Sequence, residues 1–434
     1  MTHSHDRPPT QVVDSDRPAD FMDAELGRPL EGIRVIELGN YIAAPTAGRL
    51  LADFGAEVIK VERPRTGDEL RNWRLYAGHT SLLYRTINRG KKSIALDLRT
   101  EAGRDTVLEL VERSDVLLEN FRPGTLDGWG LGAARLQAVN PELVVARVSA
   151  FGQTGPLSSR PGFAAVAEAY GGLRALVGEA DRPPSRTGVS IGDSIAGLYA
   201  AFGVVMALFQ RDSRRAAGEP RLGPCEQHVD VALHEAVFSM MESLIPDRSA
   251  YGVNRERVGG RMEGIAPTNA YACADGSSVV IAANGDSIFR RCMQVIGRTD
   301  LGENPGLQTN TERWKHRDLL DSAIGAWTES CTRAEALAEL DRAGVPAGPI
   351  LEAADIIDDP HYRARGMIQT LPVDTGSGIE AVDFPGIVPL LGCRSLQVRS
   401  VGPDLGEHTE SVLRSVLGKT TAQIERVFEE GVHA

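Results

Sequence analysis

Cysteine is scarce in this chain of 434 residues, and its placement argues against a disulfide framework or a zinc site. The five cysteines are scattered and never stand in Cys-x-x-Cys spacing: Cys225, Cys273, Cys292, Cys331 and Cys393. An odd number of dispersed cysteines is typical of reduced thiols in a cytoplasmic protein. We therefore expect cytoplasmic localisation and no bound metal.

The sequence also lacks recognisable targeting features. Residues 1–29 are polar, without the apolar segment of a signal peptide, and predict a disordered lead-in. We expect no apolar segment to approach the roughly 20 residues that are needed to span a bilayer. The net charge of −12 argues against binding to nucleic acid or to an anionic membrane.

Several common site motifs are missing as well. There is no GxxxxGK[ST] loop and no GxSxG elbow, and "GLGAAR" at 130–135 lacks the third glycine of a dinucleotide fingerprint. His228 and His234 are six residues apart, which is not a metal-ligand spacing on a helix. These absences disfavour P-loop, dinucleotide and serine-hydrolase chemistry.

What the chain does have is an alternation of strand and helix patterns. "IRVIEL", Val58–Val61, "SIALDL", "DVLLEN" and "LVVARVSAFG" read as strands, and "AGRLLADFG" and "EAGRDTVLELVERS" as helices. Such βαβ units predict an α/β fold with a parallel, doubly wound sheet. "YACADGSSVVIAA" predicts a hairpin, and helical segments follow it.

Asp193 is the residue that most needs an explanation. It stands alone between glycine and serine in "GVSIGDSIAGLYAAFGVVMALFQRD", just before a long apolar run. An aspartate there is either an N-cap or a nucleophile, and Gly188 and Gly192 would let a ligand approach. The apolar residues behind it recur at steps of three and four and predict a core-facing helix stripe: Ile195, Leu198, Tyr199, Phe202, Val205 and Met206.

A basic cluster interrupts the acidic chain. Residues 60–92 hold nine Lys and Arg against three acids, a local balance of +6. The cluster follows strand ends, where α/β proteins bind ligands, so it is either a phosphate site or a solvated surface loop.

Nine stretches together resemble the class III CoA-transferases, the superfamily of formyl-CoA transferase, carnitine CoA-transferase and acyl-CoA racemase. They run in family order across residues 30 to 409: "LEGIRVIELGNYIAAPTAGRLLADFGAEVIKVERPRTGDELR", "NRGKKSIALDLRTEAGRD", "DVLLENFRPGTLDGWGLG", "SAFGQTGP", "GFAAVAEAYGGLRALVG", "GVSIGDSIAGL", "EQHVDVALHEA", "GVPAGPI" and "GEHT".

The resemblance implies a Rossmann-like large domain with a parallel sheet, a smaller α+β domain, and an interlocked homodimer. We expect the large, CoA-binding domain at 30–222, completed by 395–434, linkers at 223–262 and 351–394, and the small domain at 263–350. The resemblance makes Asp193 the nucleophile, in Gly192-Asp193-Ser194. It places the contacts of coenzyme A, a substrate and not a tightly bound cofactor, at Arg63, Leu96, Asn120, Phe121, Tyr41, Ile42 and Lys92.

Several positions depart from the family pattern. Glu168 begins "EAYGG" where many transferases have "QAxxG", and Gly128 replaces an arginine that contacts CoA in some members. Phe163 and Ala164 stand where the racemase branch carries a His-Asp pair, and racemisation needs two acid/base groups.

The sequence thus predicts a transferase that passes CoA from an acyl-CoA, succinyl-CoA in our interpretation, to a dicarboxylate. Glu168, Arg174 and Arg186 are the candidate contacts of the acceptor acid. The alternatives are an acyl-CoA racemase, or a CoA-binding protein without activity in which Asp193 only caps its helix.

Overall fold

The computed structural model describes residues 27–392 and 395–432. Nearly all of the expected lead-in at 1–29, and Cys393, lie outside the described residues. Within them, Cys273, Cys292 and Cys331 are free thiols.

In the described part of the chain there are thirteen strands: β1 Arg34–Glu37, β2 Glu57–Glu62, β3 Tyr76–Ala77, β4 Thr80–Ser81, β5 Lys92–Ala95, β6 Val116–Glu119, β7 Val144–Ser149, β8 His228–Ala232, β9 Thr268–Ala272, β10 Ser278–Ala282, β11 Ala347–Pro349, β12 Ile368–Asp374 and β13 Ile379–Pro385.

The α-helices of the same residues are α1 Ala43–Asp53, α2 Leu82–Ile87, α3 Glu101–Val111, α4 Thr125–Gly128, α5 Ala133–Val139, α6 Ala164–Tyr170, α7 Leu173–Leu176, α8 Ile191–Ala216, α9 Leu233–Phe238, α10 Leu244–Tyr251, α11 Asp286–Val295, α12 Thr299–Gly302, α13 Asn310–Lys315, α14 Arg317–Thr328, α15 Arg333–Arg342, α16 Ala353–Asp358, α17 Pro360–Ala364, α18 Thr409–Ser415 and α19 Thr421–Val427. Single 3₁₀ turns lie at Glu69–Asn72, Pro224–Gln227 and Pro305–Leu307, and a π turn at Phe428–Val432.

The main sheet is fully parallel, which confirms the predicted α/β class. Its six strands lie in the order β5-β2-β1-β6-β7-β8. The strand order reverses between β1 and β6, which pair directly with Val35 opposite Val116. Ligands of open α/β sheets bind outside the carboxyl ends of the strands at such a switch point. The segments after Glu37 and after Glu119 therefore mark the expected position of a site.

Helix α8 buries its small residues, so the predicted core-facing stripe is wrong. Its core side consists mostly of glycine and alanine, with Ala196, Gly197, Ala200 and Ala201 buried among α1 and the sheet and Gly192 buried against Glu168 and Val237. The larger apolar residues point away from the core: Leu198, Phe202, Val205, Met206 and Phe209 are 41–74% exposed. Ile195 and Tyr199, also of the predicted stripe, are half-buried at its edge. The helix approaches α1 so closely that only small side chains fit between them.

Helix α8 also contradicts the expectation that no apolar segment is long enough to span a bilayer. At 26 residues α8 is long and apolar enough to cross a bilayer by length and composition alone. Only 39% of its most apolar window is buried. Packing on α1, β7 and β8 accounts for its inner side, and the outer side keeps the exposed apolar residues.

The C-terminal helices pack on the main sheet, and a second sheet lies elsewhere. Val412 of α18 and Ile424 of α19 share a core with Ile36 and Ile59 of the sheet. The antiparallel sheet β11-β10-β9 contains the predicted hairpin and carries its own core around Phe289. The boundaries between the large domain, the linkers and the small domain remain predictions.

Candidate functional site

Asp193 stands in the first turn of α8, so the alternative interpretation of this residue as the N-cap is wrong. The helix begins at Ile191, and the N-cap is Ser190, whose side chain makes no capping hydrogen bond. Asp193 is the third helical residue, where a carboxylate still gains from the positive end of the helix dipole. Its carboxylate makes no hydrogen bond or ion pair with any described residue.

The surroundings of Asp193 hold back its ionisation. Burial raises the pKa of this carboxyl to about 7, the nearby Glu168 carboxylate adds to the rise, and Arg186 opposes it. At neutral pH the group is therefore divided between its acid and its carboxylate forms. A carboxylate with raised pKa is also a stronger nucleophile once ionised, so this environment suits covalent catalysis.

Asp193 opens into a cavity of about 520 Å³, which we call the Asp193 cavity. Its walls come from the switch-point loops, the turn before α6 and the start of α8. The lining residues are Asn40, Tyr41, Ile42, Ala43, Trp73, Asn120, Phe121, Arg122, Pro123, Val148, Ser149, Ala150, Arg160, Pro161, Gly162, Phe163, Ala164, Ala165, Arg186, Ser190, Asp193 and Leu233. Among these described residues Asp193 is the one carboxylate, and none is a histidine or a lysine.

A second cavity, of about 590 Å³, adjoins the first and is called the Arg63 cavity. It is lined by Arg63, Arg65, Arg99 and Leu96, among others, and it shares Asn40 and Phe121 with the Asp193 cavity. The two cavities together run along the carboxyl edge of the sheet across the switch point. This arrangement fits a long ligand with a charged end and a reactive end.

The boundary between the cavities is built by a reciprocal pair of hydrogen bonds. The Asn120 Oδ1 accepts from the Asn40 N–H at 2.8 Å, and its Nδ2 donates to the Asn40 carbonyl at 2.7 Å. The Glu119 carboxylate accepts from the Phe121 N–H at 2.6 Å, and burial raises the pKa of Glu119 to about 7. The Asn120 side chain is thus committed to holding the loop after β1, and Phe121 presents its ring to both cavities.

Tyr41 is held in an unfavourable backbone conformation at the cavity wall. Its φ of 62° lies in the left-handed region, which non-glycine residues rarely adopt. The Asp68 carboxylate accepts from the Tyr41 N–H at 3.0 Å and fixes this geometry. The Tyr41 ring then packs against Trp73 and Phe163, with ring centres 5.6 and 5.8 Å away.

Asp68 belongs to a fully buried ionic network beneath this wall. The Lys60 ammonium lies 2.9 Å from Asp68 Oδ2 and 3.0 Å from Glu37 Oε1, and Lys91 Nζ lies 2.7 Å from Glu37 Oε2. Burial lowers the pKa of Lys91 to about 8. The network ties the wall to strands β1 and β2.

These ion pairs correct the interpretation of the basic cluster. Seven of its nine cations pair with carboxylates: Lys60, Arg63, Arg71, Arg85, Arg89, Lys91 and Lys92. Four of the partners lie outside residues 60–92, namely Glu37, Asp53, Glu57 and Asp404. The local excess of positive charge is therefore largely cancelled by distant acids. The cluster is neither a solvated loop nor a dense phosphate site, and Arg63 and Arg65 are its exposed members at a cavity.

Most of the expected site residues line one or both of the two cavities, and three line neither. Arg63 and Leu96 line the Arg63 cavity; Tyr41, Ile42, Asn120, Arg186 and Asp193 line the Asp193 cavity; Phe121 lines both. Lys92 lines neither cavity, because it begins β5 and its Nζ pairs with Glu57 at the opposite end of β2. Glu168 and Arg174 also lie outside both linings.

The glycines near Asp193 serve packing more than access. A Cβ on Gly192 would lie 3.1 Å from Glu168 Cγ, and one on Gly171 2.7 Å from the His234 carbonyl oxygen. Only Gly188 faces open space. The amides at the start of α8 are occupied too, since the N–H of Gly192 donates to Glu168 and that of Ser194 to Ser190.

Sequence reasoning missed two cavity arginines. Arg122 and Arg160 each open an Arg-Pro-Gly tripeptide that follows a strand of the sheet, and both line the Asp193 cavity. With Arg186 they bring three cations to a cavity with one carboxylate. The repeated tripeptide after β6 and β7 was the signal that could have identified them.

The fold and the paired cavities define an α/β protein with an elongated site at the switch point of a parallel sheet. Comparison with known proteins then places it. The model of CoA-transferase family III matches residues 30–409, and the chain belongs to that family. It is a class III CoA-transferase, an enzyme that transfers CoA between carboxylic acids, and CoA thioesters are its substrates.

Two relatives come from Chloroflexus aurantiacus. A succinyl-CoA–D-citramalate CoA-transferase is 45% identical over 396 residues, which are 91% of this chain and 95% of that protein. The beta subunit of a succinyl-CoA–L-malate CoA-transferase is 38% identical over 399 residues, 91% of this chain and 96% of that one. A crystal structure of a CaiB/BaiF family protein from Brucella suis matches with a TM-score of 0.77 at 33% identity, covering 89% of this chain and 99% of that one.

Proposed function

We propose that this enzyme moves CoA from succinyl-CoA to a dicarboxylic acid, with Asp193 as the nucleophile. The observation that carries the proposal is the Asp193 cavity itself. It contains one carboxylate, free of ion pairs, beside three arginines. One group is thus available for attack, and the cations suit anionic substrates.

The reaction divides into four exchanges at carbonyl carbon. The Asp193 carboxylate attacks the thioester carbonyl of succinyl-CoA, the C–S bond breaks, and a mixed anhydride and CoA thiolate form. The thiolate attacks the aspartyl carbonyl and releases succinate, leaving an aspartyl-CoA thioester. The acceptor carboxylate displaces the thiolate to form a second anhydride. The thiolate then attacks the acceptor carbonyl and regenerates the Asp193 carboxylate.

CoA would lie along both cavities in this proposal. Its phosphorylated end would meet Arg63, and Leu96 would pack against the adenosine portion. The chain leading to the thiol would pass Asn40 and Phe121, which border both cavities, and reach Asp193. The largely apolar walls around Phe163 would shield the anhydride from water.

The nucleophile is tested by Asp193→Asn, which keeps the size of the side chain and removes its charge. Transfer should fall by about a thousandfold or more, and hydroxylamine should no longer trap an acyl-enzyme. Asp212→Asn is the matched control, because Asp212 is an aspartate of the same helix that pairs with Arg211 and Arg215 at its far end. Substantial activity of Asp193→Asn would refute the assignment. Retained CoA binding with no trapped intermediate in the unaltered protein would favour a CoA-binding protein without activity.

The preference for a dicarboxylate is supported by the cavity arginines and by the names of the two Chloroflexus relatives. We expect Arg186 to receive the second carboxylate, since it lines the cavity and makes no close ion pair with its carboxylate neighbour. Arg186→Gln should lower kcat/KM for a dicarboxylic acceptor by about tenfold to a hundredfold. A monocarboxylic acceptor of equal length should be affected far less.

Arg182→Gln is the control for that experiment, because Arg182 is exposed on the same loop and lines neither cavity. Equal losses for both acceptors in Arg186→Gln would contradict the proposed contact. CoA esters formed from a panel of free acids and succinyl-CoA, read by mass spectrometry, identify the acceptor class directly.

Racemisation is not favoured by the cavity. Phe163 and Ala164 provide no acid/base groups, and among the described lining residues Tyr41 is the one side chain with an ordinary titratable group besides Asp193 and the arginines. Burial and nearby Glu69 and Asp68 raise the pKa of Tyr41, so at neutral pH it is a protonated phenol and not available as a base. Deuterium uptake at the α-carbon of an acyl-CoA without an acceptor acid would reverse this conclusion.

We further propose that two copies of the chain form a homodimer, interlocked as the family resemblance implies. The exposed apolar side of α8, from Leu198 to Phe209, supports a covering partner because such surfaces are rarely left to water. Phe202→Glu should weaken the dimer in sedimentation, whereas Leu319→Glu, at an exposed leucine of α14, should not. A monomer at micromolar concentration before any substitution would refute the proposal.

A further inference from the structure

Glu168 is a buried carboxylate to which the proposed transfer mechanism gives no task. It lies in α6 with 1% of its surface exposed, and its Oε1 accepts a hydrogen bond of 3.3 Å from the Gly192 N–H. Gly192 precedes Asp193, so Glu168 is attached directly to the turn that carries the nucleophile. It does not line the Asp193 cavity, which argues against the expected contact with the acceptor acid.

Two guanidinium groups converge on the other oxygen of Glu168 without hydrogen-bonding to it. The Nε atoms of Arg174 and Arg186 lie 3.8 and 3.9 Å from Oε2. The Arg174 Nε is itself buried and has no hydrogen-bond partner among the described residues. Neither arginine is fixed to the Glu168 carboxylate by a hydrogen bond, so either guanidinium group can turn towards another anion.

The Arg186 guanidinium lies near two carboxylates, those of Glu168 and Asp193, and could pair with either. The Arg186 Nε lies within 4.0 Å of the Glu168 carboxylate. Arg186 forms no ion pair with Asp193, although its charge influences the pKa of Asp193. Burial and Glu168 raise the pKa of Asp193, and Arg186 lowers it. Without Glu168, Arg186 would be drawn to Asp193, and an ion-paired carboxylate is a poorer nucleophile.

We propose that Glu168 is a positioning residue that holds Arg186 away from Asp193, so that the nucleophile stays unpaired and Arg186 stays free for a substrate carboxylate. The proposal rests on the proposed role of Asp193. Two charged groups act on Asp193 directly, Glu168 of α6 and Arg186 of the preceding loop. Tyr41, Arg122 and Arg160 line the same cavity, Arg174 of α7 lies beyond Glu168, and α9, which packs on α8, carries His234 and Glu235.

Glu168→Gln is the sharpest test, because it keeps the volume and an oxygen that accepts from Gly192 and removes only the charge. In the unaltered enzyme kcat/KM for succinyl-CoA should rise with pH through about 7 as Asp193 ionises. In Glu168→Gln the acid limb should move down by about one pH unit. The plateau of kcat should fall about tenfold because Arg186 now pairs with Asp193. Glu168→Asp, which keeps the charge, should leave the limb near its original position.

A double-mutant cycle separates positioning from mere packing. In an Arg186→Gln background, Glu168→Gln should lose little further kcat, because Arg186 is no longer present to pair with Asp193. Additive losses in the cycle, or an unmoved acid limb in Glu168→Gln, would overturn the proposal. Thermal unfolding and CoA binding of each variant are measured alongside, so that a folding defect is seen as such.

Glu119→Gln is the necessary control, since burial also raises the pKa of Glu119 to about 7. If Asp193 produces the acid limb, its position should persist in Glu119→Gln; a limb that follows Glu119 would overturn the interpretation. Failure of the underlying mechanism has a different signature. Activity in Asp193→Asn removes both proposals, whereas normal trapping at Asp193 with an unmoved limb in Glu168→Gln removes only this one.

Discussion

Replacing Gly197 by alanine tests whether the contact between α1 and α8 is as close as the structure has it. A Cβ at this position would lie 2.6 Å from the Ala43 carbonyl oxygen and 2.7 Å from Thr46 Cβ. Neither atom is the end of a flexible side chain, so the two helices themselves must move apart. Gly197 stands one turn beyond Asp193, and Ala43 lines the Asp193 cavity.

The size of the effect follows from two opposing contributions. Forcing an extra methyl group into a packed contact costs about 1–3 kcal/mol. Alanine is the better helix former and returns about 1 kcal/mol. Gly325→Ala isolates the second contribution, because Gly325 lies within α14 with no heavy atom near its would-be Cβ. We expect Gly325→Ala to stabilise slightly and the two variants to differ by about 1–3 kcal/mol.

The assay is urea unfolding followed by circular dichroism at one fixed protein concentration, with kcat measured in parallel. Gly197→Ala should also reduce kcat well beyond its effect on folding, because moving α8 displaces Asp193 relative to the opposite wall. Displacements near 1 Å can cost about a hundredfold in rate. If Gly197→Ala were as stable and as active as Gly325→Ala, the inferred close packing would be wrong.

Two further predictions concern the buried charges under the cavity wall. Lys60→Met leaves Glu37 and Asp68 buried without their shared cation and should destabilise the fold by about 3–5 kcal/mol in the same unfolding assay. Hydrogen bonds and ion pairing with Arg71 hold the pKa of Glu62 at about 2, below its usual 4.5, against the opposing effect of burial. A depressed carboxyl pKa stabilises the fold above pH 4.5, and the contribution, on the order of 3 kcal/mol, disappears as pH falls towards 2. The acid slope of unfolding free energy should therefore be shallower in Glu62→Gln, and equal slopes would contradict the assignment.

The fold class could be predicted because the periodicities of its elements are local. Short runs rich in branched residues, such as Val144–Val148, became strands of the parallel sheet, and Val107, Leu110 and Val111 are buried in α3 as their spacing predicts. Neighbouring positions suffice for such inferences.

The orientation of α8 could not be predicted in the same way. Hydrophobic periodicity locates the face with the largest apolar residues, and here Phe202 and Met206 lie on the exposed side. The buried face is chosen by the approach of α1, which only small residues such as Gly197 and Ala200 permit. The interpretation of the basic cluster was wrong for a related reason, because the acids that pair with it, such as Asp404, are distant in the sequence.

The same distinction explains what was seen and missed at the site. Asp193 was identified through a motif, but its environment depends on residues that no motif connects to it. Glu168 lies 25 positions earlier, yet it accepts a hydrogen bond from the adjacent Gly192 N–H and raises the pKa of Asp193. Arg186 lies between them in sequence. In the structure its guanidinium lies near the Glu168 carboxylate and also lowers the pKa of Asp193. The pKa of Asp193 therefore depends on the charges of Glu168 and Arg186. These groups come together only after α6, the loop before α8, and α8 have packed. A change to any one of these charges should alter the pH dependence of transfer before it alters the fold.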